Sequence, residues 1–75
     1  MVEENKMNEF ALNGSEYIEL KSLIKVSGMS ENGAKAKELI SSGKVKVDGV
    51  TETRKACKIR SGQIIEYRGQ QIKVV

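Results

Sequence analysis

The sequence predicts a single α+β domain, in which two short helices pack on one side of a small, mostly antiparallel sheet. Apolar residues recur at helical spacing in two stretches only, about 19–27 and 31–42, whereas later stretches alternate apolar and polar residues as strands do. The chain has 75 residues, of which 39% are hydrophobic and only 4% aromatic. A chain of this length forms one domain with a small core, which must here be aliphatic.

The N-terminal region predicts a tail followed by a short hairpin. Residues 1–7 are polar and lack periodicity, which is typical of a disordered tail, so we place the domain at 8–75. Phe10 and Leu12 alternate with neighbours that include the polar residues Glu9 and Asn13, and the Asn-Gly pair at 13–14 is a turn sequence. We therefore expect residues 17–18 to return antiparallel to the first strand.

Both helices have recognisable end signals. Leucine and isoleucine recur at helical spacing over 19–27, and Gly28 follows. The second helix is predicted over 31–42, with Ser30 as its N-terminal cap and Gly43 in a left-handed conformation at its end. The connection between the helices is short, so they must meet at a steep angle, an arrangement also seen in DNA-binding helix-turn-helix proteins.

The rest of the chain predicts strands. Lysine and valine alternate over 44–47, so that the lysines face one way and the valines the other, and Asp-Gly at 48–49 forms a turn. Further strands are expected at 63–67 and 71–75. Together these patterns predict a core made of Leu20, Leu23, Ile24, Ala36, Leu39, Ile40, Val45, Val47 and Ile64.

Charge is distributed unevenly along the chain. The net charge is +3; residues 1–20 carry one basic and five acidic residues, whereas residues 21–75 carry twelve basic and five acidic residues. The densest basic stretch is 54–60, with four positive charges and no acid. Such a surface suits a polyanion, because each lysine or arginine that neutralises a phosphate releases condensed counterions.

The segment 36–49 resembles the signature of the S-four RNA-binding domain, named after the fourth small-subunit ribosomal protein. The matching residues are Ala36, Leu39, Ile40, Gly43, Val45, Val47, Asp48 and Gly49. The resemblance extends over about 19–67, and in length the chain is most similar to the small stand-alone bacterial members, the YbcJ-like proteins. It implies two short helices beside a curled sheet, the alpha-L motif, and an RNA-binding function.

Two positions depart from the family pattern. Many members carry arginine where this chain has Gly33, and a proline usually follows the basic residue in the region that Arg54 and Lys55 occupy here. The chain contains no proline. We therefore expect Lys35 or Lys37 to supply the phosphate contact that arginine makes in other members.

The sequence lacks the residues of common catalytic, metal and membrane sites. It has no histidine, no phosphate-binding glycine motif and a lone cysteine, Cys57, so we expect no catalysis, no cofactor and no metal. Cys57 is interpreted as a packing residue, although Lys55 and Lys58 nearby could lower the pKa of its thiol. Without an apolar run of membrane-spanning length or a signal peptide, the protein is predicted to be cytoplasmic and free of membranes.

Motif and charge together predict a non-catalytic, monomeric module that binds structured RNA, either ribosomal or transfer RNA, mainly through its phosphate backbone. The contacts are expected from one patch that combines the second helix, the next strand and the basic stretch: Lys35, Lys37, Lys44, Lys46, Arg54, Lys55 and Lys58. Two alternatives remain at this point. One is a protein-interaction adaptor whose basic face meets an acidic partner, and the other is a small DNA-binding protein or an uncharacterised enzyme.

Overall fold

A computed structural model describes residues 8–75, so the predicted tail lies outside the described residues. The predicted α+β class is confirmed, with two helices and mostly antiparallel strands. No helix within the described range is long and apolar enough to cross a membrane. The elements are β1 (Asn8–Phe10), β2 (Ile18–Glu19), α1 (Leu20–Val26), α2 (Gly33–Ser41), β3 (Lys46–Val47), β4 (Val50–Thr51), β5 (Lys58–Ile59), β6 (Ile64–Tyr67) and β7 (Gln70–Val74).

The strands form two sheets. One has five strands in the order β1-β7-β6-β3-β4, and the other pairs β2 with β5. All pairs are antiparallel except β1 with β7, which is parallel. The predicted N-terminal hairpin is therefore wrong. The turn at 13–14 forms, but the strands on its two sides belong to different sheets: β1 pairs with the longer β7, with Phe10 beside Val74, whereas Ile18 pairs with Ile59 of β5.

The helix α2 ends where the sequence predicted but begins at a different cap. The cap of α2 is Asn32, whose Oδ1 accepts a 2.8 Å hydrogen bond from the backbone N–H of Lys35, so the predicted cap at Ser30 is wrong. Both residue types cap helices well, but the helix begins at Gly33, so Asn32 with its extended backbone is the residue that precedes the first turn. The helix ends as predicted, with Gly43 at φ +83°. Six residues, 27–32, separate the helices, which makes the connection longer than the sequence suggested.

The core is aliphatic and lies between the helices and the five-stranded sheet. In that sheet Val47, Ile65 and Ile72 occupy one row across three strands and are nearly inaccessible to solvent. Ile64 is only half-buried, so its predicted core position is wrong: neighbouring residues of a strand face opposite sides, and the register selects Ile65. The buried residues are Leu20, Leu23, Ile24, Ala36, Leu39, Ile40, Val45, Val47, Ile59, Ile65, Ile72 and Val74.

The β3–β4 turn is fastened to the start of β6 by Asp48. Its backbone N–H donates to the carbonyl of Ile64 at 2.8 Å, and its carboxylate accepts from the backbone N–H of Ile64 at 3.0 Å and from Gln63 Nε2 at 3.2 Å. Aspartate suits this position because it tolerates the left-handed backbone, here at φ +52°. The turn therefore holds β3 beside β6 and sets the direction of the chain that follows.

Candidate nucleic-acid interface

An open groove of about 1080 Å³ separates the outer face of α2 from the segment 53–58. Every residue of that segment lines it, together with four residues of the helix, Ala34, Lys37, Glu38 and Ser41. We call this feature the basic groove, because four of its lining residues are cationic and one is acidic. The cations are Lys37, Arg54, Lys55 and Lys58.

The basic segment is anchored through its backbone by the start of α1. The first N–H groups of a helix have no partner within the helix. Here the N–H of Leu20 donates to the carbonyl of Cys57 at 2.9 Å, and the N–H of Lys21 donates to the carbonyl of Lys55 at 3.0 Å. A turn hydrogen bond from the N–H of Cys57 to the carbonyl of Arg54, 3.2 Å long, closes the segment. The lysine side chains therefore remain exposed while the backbone that carries them is fixed.

Arg54 is held by Glu52. The guanidinium donates from Nε to Oε2 at 2.9 Å and from Nη2 to Oε1 at 3.1 Å, and the backbone N–H of Arg54 donates to Oε2 at 2.9 Å. The hydrogen bonds from the Arg54 side chain and backbone lower the pKa of the Glu52 carboxyl to about 2. Bidentate pairing of this kind orients a guanidinium well. Arg54 is thus a fixed donor whose charge is partly compensated.

Cys57 does not have the features of a reactive thiol. Burial raises the pKa of the Cys57 thiol, and the Glu52 carboxylate raises it further, against a weaker opposing effect of Arg54. The suggestion that neighbouring lysines lower this pKa is therefore wrong. The side chain is half-buried, in keeping with the predicted packing role.

Lys35 lies outside the lining of the basic groove. Its Nζ is 3.6 Å from Oε1 of Glu38, the groove's acidic residue. Both side chains are more than half exposed, so this ion pair is weak. Lys35 nevertheless reduces the negative potential that Glu38 places at the groove, whereas Lys37 lines the groove directly.

The two remaining predicted residues lie elsewhere on the surface. Lys44 lines a second depression of about 550 Å³ together with Tyr67 and Arg68. Lys46 is exposed on β3, opposite Thr51 of β4 and Glu66 of β6. The structure thus collects four of the seven predicted residues in the basic groove and places Lys35, Lys44 and Lys46 outside its lining.

Comparison with known proteins agrees with this architecture. The family model of the S4 domain matches residues 10–75. This chain belongs to the S4 domain family. The YbcJ proteins of Escherichia coli strain K12 and of Shigella flexneri are each 48% identical over 69 residues, covering 92% of this chain and 99% of the relative. The resemblance inferred from the sequence is confirmed.

A solved structure of the family extends the comparison. The solution structure of YbcJ from E. coli matches this S4 domain with a TM-score of 0.75 at 45% identity, and the match covers 100% of this chain and 96% of the other. That structure is described as revealing an ALFAL motif involved in RNA-binding. The predicted two-helix α+β arrangement is therefore that of a structurally characterised relative.

This S4 domain also has an aromatic feature that sequence reasoning missed. Tyr17 is 36% exposed, and its ring centroid lies 5.0 Å from Lys58 Nζ and 5.6 Å from the guanidinium carbon of Arg60. The pairing of β2 with β5, which the sequence did not predict, brings these residues together. The ring holds two cations at the edge of the basic groove, since Lys58 also lines the groove.

Proposed function

We propose that this S4 domain is a non-catalytic module that binds structured RNA, of the ribosomal or transfer class, by contacting phosphates in the basic groove. The observation that carries the proposal is the groove itself, in which two separate elements contribute four cations. Its acidic residue, Glu38, is already paired with Lys35. The ALFAL motif described for the YbcJ solution structure, at 45% identity, supports RNA as the polyanion.

The lining favours phosphate contacts over base recognition. Three of the four cations are lysines, which act on phosphates as point charges without reading base edges. Aromatic side chains are absent from the lining residues, whereas modules that recognise single-stranded bases stack them on aromatic rings. The groove should therefore recognise the shape and backbone of folded RNA more than its sequence.

Salt dependence follows from the same lining. If the four cations each neutralise one phosphate, the groove alone should contribute a slope of roughly −3 to −3.5 to the fall of log affinity with log salt concentration. A fluorescence-anisotropy titration of labelled, unfractionated transfer RNA and of ribosomal RNA at several salt concentrations measures this slope. A slope near zero would eliminate the phosphate mechanism.

The site is tested by two double variants with the same change of net charge. Lys37→Glu with Lys55→Glu reverses two cations of the groove, whereas Lys25→Glu with Lys73→Glu reverses two exposed lysines that do not line it. Arg54 is left unchanged because its loss would release Glu52. Each of the two substitutions removes a phosphate contact and introduces a repulsive carboxylate, which should cost on the order of 1 kcal/mol. Together they should therefore weaken binding at least about tenfold relative to the control.

Two results would overturn the proposal. Equal weakening by both doubles, with both folded by circular dichroism, would mean that overall charge alone attracts RNA. Competition by a 20-base-pair DNA duplex as effective as that by folded RNA would favour the DNA-binding alternative. The six-residue connection between the helices already differs from the short turn on which that alternative rested.

A further inference from the structure

Three turns of the chain share one backbone conformation, and one of them carries an unexpected residue. The pairs Asn13-Gly14, Asp48-Gly49 and Arg68-Gly69 all have two consecutive positive φ angles, 54° and 94°, 52° and 84°, and 54° and 79°. Asparagine and aspartate tolerate the left-handed region, whereas arginine has no such preference. Asparagine would adopt the left-handed backbone of the β6–β7 turn with less strain than Arg68 does.

The surroundings of Arg68 indicate what its side chain is for. Its guanidinium carbon lies 5.9 Å from the centroid of the half-buried Tyr67 ring. Both residues line the second depression with Lys44. Lys44 and Arg68 are exposed, and no ion pair formed within residues 8–75 includes either of them. Two cations therefore line one cavity of about 550 Å³, and none of the described carboxylates lines it.

The second depression lies close to the basic groove along the chain. Ser41 lines the groove at the last residue of α2, and Lys44 follows three residues later. Three residues of chain span at most about 11 Å. A nucleic-acid strand that rises about 3.4 Å per nucleotide covers this distance in roughly three nucleotides. A strand that leaves the groove past the end of α2 can therefore reach Lys44 and Arg68.

We propose that Arg68, with Lys44, forms a second phosphate contact for an RNA strand that leaves the basic groove, and that Tyr67 orients the guanidinium. The inference rests on the proposed RNA-binding function and adds a site to it. It explains why an arginine occupies a left-handed turn position: the side chain serves binding at the expense of local backbone preference. Strained positions of this kind occur where function requires a particular side chain.

The substitution Arg68→Asn separates the two effects. Asparagine keeps the turn and relieves the backbone, so the melting temperature should rise by about 2 to 5 °C. The same variant should bind unfractionated transfer RNA about three- to tenfold more weakly, and the steepness of its salt slope should decrease by roughly 0.7 to 0.9, as expected when one fewer phosphate is neutralised. Lys25→Gln removes the same charge from an exposed position outside both depressions and should change affinity by less than about twofold.

The possible results are distinguishable from one another. If Arg68→Asn binds as tightly as the parent while Lys37→Glu with Lys55→Glu loses binding, the second contact does not exist and the basic groove stands. If the parent binds neither transfer nor ribosomal RNA, both proposals fail. A fall in the melting temperature of Arg68→Asn would show that arginine stabilises the turn, which would overturn the argument from backbone conformation.

Discussion

The two faces of α2 serve different purposes within nine residues. On one face Ala36, Leu39 and Ile40 are at most 4% exposed and pack in the core, whereas on the other Lys37, Glu38 and Ser41 line the basic groove. The helical period places residues three and four positions apart on the same face, so residues 36, 39 and 40 share one side and residues 37, 38 and 41 share another. Substitutions on the two faces should therefore have separable effects, on stability from the inner face and on binding from the outer face.

The inner face gives the largest expected effect. Leu39→Ala removes a side chain that is 4% exposed and leaves a cavity beside Ala36 and Ile40, which should lower the free energy of unfolding by about 2 to 5 kcal/mol. Such a loss is a large fraction of the stability of a domain this small. Urea denaturation followed by circular dichroism at 222 nm measures it, and the midpoint should shift markedly or the cooperative transition should disappear.

A variant of the outer face provides the matched control for this comparison. Lys37→Ala keeps a good helix former and changes only an exposed side chain, so the free energy of unfolding should remain within about 0.5 kcal/mol of the parent. Equal shifts in the two variants would mean that the helix is rotated relative to the orientation described above.

The inner face of α2 was predictable from sequence because the helical period determines which residues along the whole helix share one face. The apolar positions of 31–42 specify the buried side whatever the helix packs against, and Gly43 marks its end. The strand at 64–67 carries less information, since Ile64 and Ile65 are adjacent and equally apolar. Only the pairing of Ile65 with Val47 and Ile72 decides which isoleucine is buried.

The outer face was predictable in charge but not in arrangement. Exposed lysines follow from composition, and all seven predicted residues are exposed. Which of these residues line the basic groove depends on contacts between distant segments. The docking of residues 55–57 on the start of α1, and of Tyr17 beside Lys58, requires the pairing of β2 with β5 across some forty residues, which local patterns do not encode.

Glu52 couples the stability of the fold to the basic groove, because its carboxylate holds Arg54, which lines the groove. Its folded pKa of about 2 lies below the ordinary value of 4.5, so the folded protein binds fewer protons at this group than the unfolded chain does. The stability that Glu52 contributes is therefore complete above pH 4.5 and is lost as the pH falls toward 2. Because Arg54 is 76% exposed, solvent screens the pair, and the effect should be on the order of 2 to 4 °C in melting temperature.

The comparison with Glu52→Gln isolates this ion pair. Glutamine cannot titrate, so the melting temperature of the parent should fall more steeply than that of the variant between pH 4.5 and 2, in thermal unfolding followed by circular dichroism. Parallel curves over that interval would show that the Glu52–Arg54 contact contributes nothing in solution. In that case Arg54 would be an unrestrained groove cation instead of an oriented one.

The smallest expected effect is a gain in RNA affinity, and it gives the most specific test of the outer face of α2. Glu38→Gln removes the negative charge of the basic groove and releases Lys35, so affinity for transfer RNA should rise by about two- to fourfold while the melting temperature stays unchanged. Glu9→Gln makes the same charge change at an exposed residue of β1, which lies at the opposite edge of the five-stranded sheet from β4 and does not line the groove, and it should leave affinity within about 1.5-fold of the parent. An equal gain from both substitutions would trace the improvement to net charge. A gain confined to Glu38→Gln would locate the bound phosphates at the outer face of α2, because screening by salt restricts the influence of one exposed carboxylate to groups within about 10 Å.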